Sequence, residues 1–140
     1  MDLITLILCA AVTIYMAVYA AKYLLILCEI GKAYKEENYK KFSGEVSGKL
    51  EETSEVFQGK MIKICYPEYK FSAGGLVSFY QSPVRHKDIE IGQPAEIFSN
   101  DSKTLFWTEN DVPLMRKQLL FKISTVSVLL AIMILVNAIL

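Results

Sequence analysis

Charged residues are concentrated in the middle of this chain, and both ends are apolar. The 19 residues from Leu3 to Ala21 carry no charge, and a second uncharged run, residues 123–140, closes the sequence. As a helix with a rise of about 1.5 Å per residue, the first run spans about 28 Å, close to the roughly 30 Å of a bilayer's hydrocarbon core. The pattern therefore predicts two transmembrane helices, over residues 3–28 and 123–140.

Between these ends, short apolar pieces are separated by glycine, proline and polar residues, which is typical of β-structure. Strands are predicted over residues 42–48, 60–71, 76–81, 88–92, 95–98 and 104–107. Residues 50–55 are predicted as a loop or the end of a ribbon, and residues 73–75 and 100–102 as turns. Pro67 lies where the apolar alternation of residues 62–71 shifts by one position, so a kink or bulge is expected there.

These elements predict an α+β membrane protein, with two transmembrane helices that bracket a small antiparallel sheet or a partly closed β-barrel of five to six strands. Residues 29–41 form a charged juxtamembrane segment, and residues 42–113 form the soluble β-rich domain. Residues 114–122 form a basic juxtamembrane segment. The N-terminal span is interpreted as an uncleaved anchor, because no basic residue precedes it and a second span follows.

The basic residues next to the spans predict the orientation. They lie only on the inner side of the two runs: Lys32, Lys35, Lys40, Lys41, Arg116, Lys117 and Lys122. Because such residues favour the cytoplasm, the β-rich domain is expected to be cytoplasmic and both termini to lie outside.

Small residues recur at helical spacing in both spans. In the first span they are Cys9, Thr13, Ala17 and Ala21, and in the second Ser124, Ser127 and Ala131. Small side chains allow close helix approach, so these faces are predicted to pack against each other, with homodimerisation as the alternative use. Asn137 is expected to bond across to the first span or to reach the outer interface.

Composition excludes some functions. The 15 basic and 15 acidic residues cancel, so a nucleic-acid partner is not expected. The three cysteines, Cys9, Cys28 and Cys65, are odd in number and show no pairing pattern, so a disulfide framework is not expected.

Three short motifs resemble a known family. They are Gly44-Glu45-Val46, the run from Tyr66 to Phe71 with Gly74-Gly75 after it, and the run from Gly92 to Phe98. With the two flanking spans, they resemble the bacterial domain-of-unknown-function 3592 family, although no proline follows Asn100, where that family tends to have one. The resemblance implies a bacterial inner-membrane protein with this architecture, and it implies no activity, cofactor or catalytic residue.

No catalytic pattern stands out in the polar middle. His86 is the only histidine and is expected in a solvated loop, with Arg85 and Asp88 beside it. One histidine without matching cysteine or carboxylate spacing does not make a metal site. No catalytic, cofactor-binding or metal residue is assigned. An alternative is a membrane-bound enzyme that acts on lipid or phosphate substrates through Arg85, His86 and Asp88, which would then have to converge in a pocket.

The aromatic residues of the middle region allow more than one interpretation. Tyr66, Tyr69, Phe71, Phe79 and Tyr80 are interpreted as the core of a small barrel, with a ligand-stacking platform as the alternative. Phe106 and Trp107 are expected to pack the domain onto the membrane or to anchor it at the interface. The predicted function is a membrane-anchored, non-enzymatic interaction or accessory module, with membrane lipid and a protein partner or homo-oligomer as its contacts. A further alternative is a small-molecule or lipid sensor that uses the barrel interior.

Overall fold

A computed structural model describes residues 2–100 and 102–140 of the chain. Two long helices bracket six strands. In chain order the elements are α1 (Leu3–Lys35), β1 (Tyr39–Phe57), β2 (Lys60–Ala73), β3 (Leu76–Gln81), β4 (His86–Lys87), β5 (Pro94–Asn100), β6 (Phe106–Thr108) and α2 (Asp111–Ile139). The predicted α+β class, with terminal helices around an antiparallel sheet, is confirmed.

The strands form one open sheet. Its order is β3-β2-β1-β5-β6, and the short β4 also pairs with β2. All pairs are antiparallel. The partly closed barrel is therefore not observed among the described residues. The physical reason is that α2 begins three residues after β6, and its first residue, Asp111, bonds to Tyr80 of β3. A helix end occupies the space between the two end strands.

One alternative is decided, and one strand prediction was wrong. Residues 50–55 are the end of a ribbon and not a loop, because they belong to β1, which pairs with β2 as far as the Gln58-Gly59 turn. This part of β1 is exposed on both faces, so its sequence lacks the apolar alternation that marks a half-buried strand. The strand predicted over residues 88–92 is wrong, because these residues lie outside any strand and β4 forms just before them. The predicted turn at 100–102 includes Asp101, which lies outside the described residues.

The shift in β2 lies earlier than predicted. Ile64 and Cys65 are both buried, and the buried positions then alternate through Pro67, Tyr69 and Phe71. The register of β1 against β2 slips between Leu50 and Thr53, opposite this point, and again between Val46 and Gly48. The bulges therefore belong to β1, and Pro67 lies in the regular buried row of β2.

The two helices pack along a seam that the small residues did not predict. Most half-buried and buried positions of α1 repeat every three or four residues: Thr5, Cys9, Val12, Met16, Tyr19, Tyr23, Ile26, Ile30 and Ala33, with Ala20 and Leu27 beside this row. This spacing is that of a coiled-coil seam. Thr13, Ala17 and Ala21 are exposed, as are Ser124, Ser127 and Ala131, so the predicted packing of the small faces was wrong. Large side chains occupy most of this seam, and their van der Waals contacts hold the two helices together.

Polar side chains contact the facing helix at both ends of the apolar part of the seam. Asn137 donates from Nδ2 to Thr5 Oγ1 at 2.9 Å, which confirms that it bonds across to α1. At the other end of the apolar runs, Lys122 Nζ lies 4.3 Å from the ring centroid of Tyr19. Both helices are long and apolar enough to cross a membrane.

The buried core has two parts. One lies where the helix ends meet the sheet and contains Ile30, Ala33, Val84, Phe98, Trp107 and Met115. The other lies on the sheet and contains Val46, Tyr69, Phe71 and Ile97. Trp107 is fully buried and donates from Nε1 to the Tyr34 hydroxyl at 3.0 Å, so it is a core residue and not an interfacial anchor.

Gly44 explains one of the short motifs. It lies in β1 where β2 and β5 both pair with that strand. A Cβ at this position would lie 2.5 Å from the Lys70 carbonyl oxygen and 2.6 Å from Ile97 Cδ1. Only glycine lets the three strands and the core side chain come this close.

Candidate functional site

Four polar side chains meet in a buried cluster where the sheet joins α2. Asp111 lies at its centre and has no solvent exposure. Its Oδ1 accepts a hydrogen bond from the Ser82 hydroxyl at 2.7 Å and lies 2.8 Å from His86 Nε2. Its Oδ2 accepts from the Tyr80 hydroxyl at 2.6 Å and from the Thr108 backbone N–H at 2.9 Å. We call Tyr80, Ser82, His86 and Asp111 the polar cluster.

Short-range structure places each member. Tyr80 lies near the end of β3, and Ser82 N–H bonds to the Pro67 carbonyl just beyond that strand. His86 is held by the pairing of β4 with Cys65 of β2. Asp111 is the first residue of α2, and the capping residue before it, Asn110, makes no side-chain hydrogen bond. A carboxylate in this first turn is also stabilised by the positive end of the helix dipole.

Hydrogen bonding keeps the Asp111 carboxyl ionised despite its burial. Burial alone raises its pKa, but the bonds from His86, Tyr80, the Thr108 backbone and Ser82 outweigh it, so the pKa lies below its usual value. Burial and the nearby Asp111 charge raise the pKa of the Tyr80 phenol, which stays protonated and donates. Because the carboxylate can only accept, His86 Nε2 carries the proton in this network.

The polar cluster contains serine, histidine and aspartate but lacks the geometry of a catalytic triad. In a triad the serine and the aspartate bond to different ring nitrogens of the histidine. Here Ser82 Oγ and Asp111 Oδ1 both lie close to Nε2, at 3.1 and 2.8 Å. Ser82, His86 and Asp111 are all buried, so a substrate has no direct path to the hydroxyl. The arrangement is suited to holding β3, β4 and α2 together.

The three residues considered for catalysis point apart. His86 was expected in a solvated loop, and that expectation was wrong. It is buried in β4 because its ring contacts the buried Asp111 carboxylate. Arg85 is exposed and reaches outwards, with its Nε donating to the Tyr66 hydroxyl at 3.3 Å. Asp88 is exposed at a positive φ of 51°. The structure does not bring them into one pocket.

Asp111 was missed because its sequence context shows only a helix start. An acidic residue after Asn110, ahead of an apolar run, is an ordinary N-terminal signal. Its main side-chain partners lie 25, 29 and 31 positions away, so no local pattern connects them. Among residues 2–100 and 102–140, no group of three or more histidine, cysteine, aspartate or glutamate residues could hold a metal ion.

A second feature, the outer edge of β3, is apolar and open. β3 pairs with β2 on one side, and among the described residues no strand pairs with its other side. Val77 is 59% exposed and Phe79 is 60% exposed. Phe79 was predicted as a core residue, but it points to the face opposite Tyr80, because side chains alternate along a strand. Tyr69 and Phe71, also predicted in the core, are indeed buried there.

The ladder pattern shows which backbone groups face outwards from β3. Ser82 N–H bonds to Pro67 O, and the register pairs Tyr80 with Tyr69 two residues further along. Because bonded and non-bonded pairs alternate in antiparallel sheets, the backbone groups of Val77 and Phe79 point away from β2. An extended chain that approaches this edge would meet unpaired N–H and C=O groups beside two exposed apolar side chains. We call this surface the β3 edge.

Comparison with known proteins gives no relative. No protein-family model matches the chain, and neither a curated protein nor a solved structure matches it. The function must therefore be argued from the site itself.

Proposed function

We propose that this protein is a membrane-anchored, non-catalytic interaction module that binds a protein partner at the β3 edge. One observation carries the proposal: β3 is a six-residue edge strand with no charged residue and no proline. Natural proteins usually protect such an edge with charges, proline or a covering element. An edge left apolar and open is suited to pairing with an added strand, which is a recurrent mode of peptide recognition.

The helices support membrane anchoring. A helix of a soluble core would bury its apolar side chains, but few residues of α1 and α2 are buried. Ile14, Val18 and Ile134 are each more than half exposed, on a surface that is apolar all round. Lipid is the environment in which such a surface is stable.

The basic flanks support a cytoplasmic sheet with both termini outside, and the resemblance described above supports a bacterial inner membrane. The orientation is tested at Ser102, which is exposed. A Ser102→Cys variant, in a background without Cys9 and Cys28, is expected to react with a membrane-permeant thiol reagent and not with an impermeant one in intact cells. Labelling by the impermeant reagent would contradict this orientation and place the sheet outside. Cys65 is unsuitable for this test because it is buried, and burial also raises the pKa of its thiol.

The partner is tested by site-specific photocrosslinking in native membranes. A crosslinking residue at Val77 is expected to give a discrete adduct, and the same residue at exposed Glu109 is the control. A Phe79→Pro change removes an N–H that β2 does not use, so the fold should tolerate it and the Val77 adduct should disappear.

The results separate three cases. A Val77 adduct that depends on Phe79 supports strand pairing, and an adduct of twice the chain mass identifies the partner as a second copy. Equal adducts at Val77 and Glu109, or none at Val77, contradict the proposal.

A further inference from the structure

The β1–β2 hairpin ends in an exposed apolar tip. The strands turn at Gln58-Gly59, where both residues have positive φ angles of 50° and 76°, as a two-residue hairpin turn requires. Beside the turn, Val56 is 71% exposed, Phe57 is 51% exposed and Met61 is 70% exposed. Val56 and Met61 pair on one face of the ribbon, and Phe57 lies on the other. We call residues 56–61 the hairpin tip.

Contacts around Arg85 show which way the ribbon runs. In the part of the β1–β2 ribbon far from the hairpin tip, Tyr69 pairs with Tyr80, which bonds to the first residue of α2. Further along β2, Cys65 pairs with His86, and the neighbouring Arg85 carbonyl accepts from Gln118 Nε2 at 3.4 Å. The His86 ring itself still lies against Asp111 at the helix start. The Arg85 carbonyl marks the descent, because it lies beside Gln118, about two turns further along α2. From Tyr69 to Cys65, the strand therefore runs from the helix start towards the apolar part of α2.

The remaining length of the ribbon is enough to reach the membrane surface. Lys122 is the last charged residue before the apolar run of α2, and it lies about 6 Å along the helix axis from Gln118. From Cys65 to Lys60 the strand covers about 16 Å at about 3.3 Å per residue. Arg85 Nη1 also lies 3.9 Å from Glu55 Oε1, so the last residues before the tip stay near this end of α2. A ribbon of this length that is inclined to the axis of α2 still brings the hairpin tip to the level where the apolar runs of α1 and α2 begin.

The charges near the tip suit a lipid headgroup layer. The hairpin tip contains Lys60 and no acidic residue. The nearest acids, Glu55 and Glu52, are paired with Arg85 and Lys63. Lys87 Nζ lies 4.2 Å from the ring centroid of Phe57, so a cation also accompanies the aromatic side chain. Apolar side chains accompanied by lysines are typical of segments that lie in the membrane interface.

From the exposure, position and charge of the hairpin tip, we propose that it inserts into the interfacial layer of the bilayer that α1 and α2 span. The inference rests on the proposed membrane anchoring and adds a third point of contact. The sheet packs on the helix ends through a buried core, so it moves with the helices when they tilt in the bilayer. A contact at the end of the ribbon fixes the tilt and therefore the direction in which the β3 edge faces.

Tryptophan placed at defined sites tests the proposal by quenching with brominated phospholipids. The full-length chain is reconstituted in phosphatidylcholine vesicles that contain phosphatidylglycerol, with bromine near the headgroup end of the acyl chains. The signal of buried Trp107, measured in the parent protein, is subtracted. Phe57→Trp reports on the hairpin tip, and Met61→Trp repeats the measurement at a second tip position.

Two controls use the same chain. Leu76→Trp lies beside the Gly74-Gly75 turn at the opposite end of β2, where the register pairs Leu76 with Ala73. Ile14→Trp lies in the middle of α1 and reports on anchoring itself. We expect quenching of Phe57→Trp and Met61→Trp to exceed that of Leu76→Trp several-fold, with Ile14→Trp quenched by bromine placed deeper in the bilayer.

The outcomes distinguish the two proposals. If Ile14→Trp is quenched but both tip variants match Leu76→Trp, the hairpin tip does not enter the bilayer, and the anchoring stands. If Ile14→Trp is not quenched either, the anchoring itself is wrong and the inference fails with it.

Discussion

The polar cluster and the β3 edge lie next to each other, yet each reverses the usual distribution of side chains. In the cluster, polar groups are buried, and at the edge, apolar groups are exposed. Buried polar groups cost free energy unless they are hydrogen-bonded, and here each oxygen of Asp111 has two partners. The exposed apolar groups have no such compensation within the chain. The cluster therefore serves the fold, whereas the edge is available to another molecule.

This contrast predicts that changes in the cluster reduce stability, whereas changes at the edge reduce only binding. Trp107 is the single tryptophan and lies in the core beside α2, so its fluorescence reports unfolding of the sheet–helix junction in detergent or nanodiscs.

Asp111→Ala is expected to lower the free energy of unfolding most. It leaves the buried His86, Ser82 and Tyr80 groups without their shared acceptor, and each buried donor left without a partner costs about 1–3 kcal/mol. Denaturant titration followed by Trp107 fluorescence measures the loss. Glu109→Ala removes an exposed acid two positions earlier and is the matched control. Equal losses in the two variants would contradict the role of the cluster.

Acid is expected to destabilise the protein through the same carboxylate. The pKa of Asp111 is lower in the folded protein than in the unfolded chain, so the stabilisation is complete above the unfolded value and is lost as pH falls through the folded one. The loss should therefore develop below about pH 4, the ordinary range of an aspartate. Unfolding free energy measured against pH should fall less steeply in Asp111→Asn than in the parent protein. Parallel curves would exclude Asp111 as the source.

Tyr80→Phe is expected to have an intermediate effect. It removes one hydrogen bond to Asp111 Oδ2 but keeps the ring, which stacks on Tyr69 with centroids 5.9 Å apart. A hydrogen bond to a charged group contributes about 1.5–3 kcal/mol. Tyr66→Phe removes a hydroxyl that bonds to exposed Arg85 and should change stability by less than about 0.5 kcal/mol. The difference between the stability losses of Tyr80→Phe and Tyr66→Phe measures how much burial adds to the contribution of the hydroxyl group.

Phe79→Ser is expected to leave stability unchanged within about 0.5 kcal/mol, because the side chain is exposed. The Val77 photocrosslink should nevertheless weaken or disappear. Phe71→Ala, on the same sheet but buried, should instead cost about 3–5 kcal/mol. If Phe79→Ser unfolds the protein or leaves the crosslink intact, the proposed division between cluster and edge is wrong.

Local patterns predicted most of the elements but not their limits. The helices, β2, β3, β5 and β6 were anticipated because an apolar run or a strict alternation marks them. The far half of β1 was left open between a loop and the end of a ribbon, because a ribbon exposed on both faces carries no alternation. The helix seam was also missed, since small residues indicated one face and large residues at the coiled-coil spacing occupy another.

The sequence by itself determined the two long uncharged runs and the β-forming middle between them. These features depend on length, hydrophobicity and short-range periodicity, which neighbouring residues carry. Only the tertiary structure decided that His86, Ser82 and Tyr80 meet Asp111, that β3 lies at an open edge, and that the β1–β2 hairpin runs back along α2. The reason is that strand order and the bulges of β1 bring together residues many positions apart, and no local pattern encodes those distances.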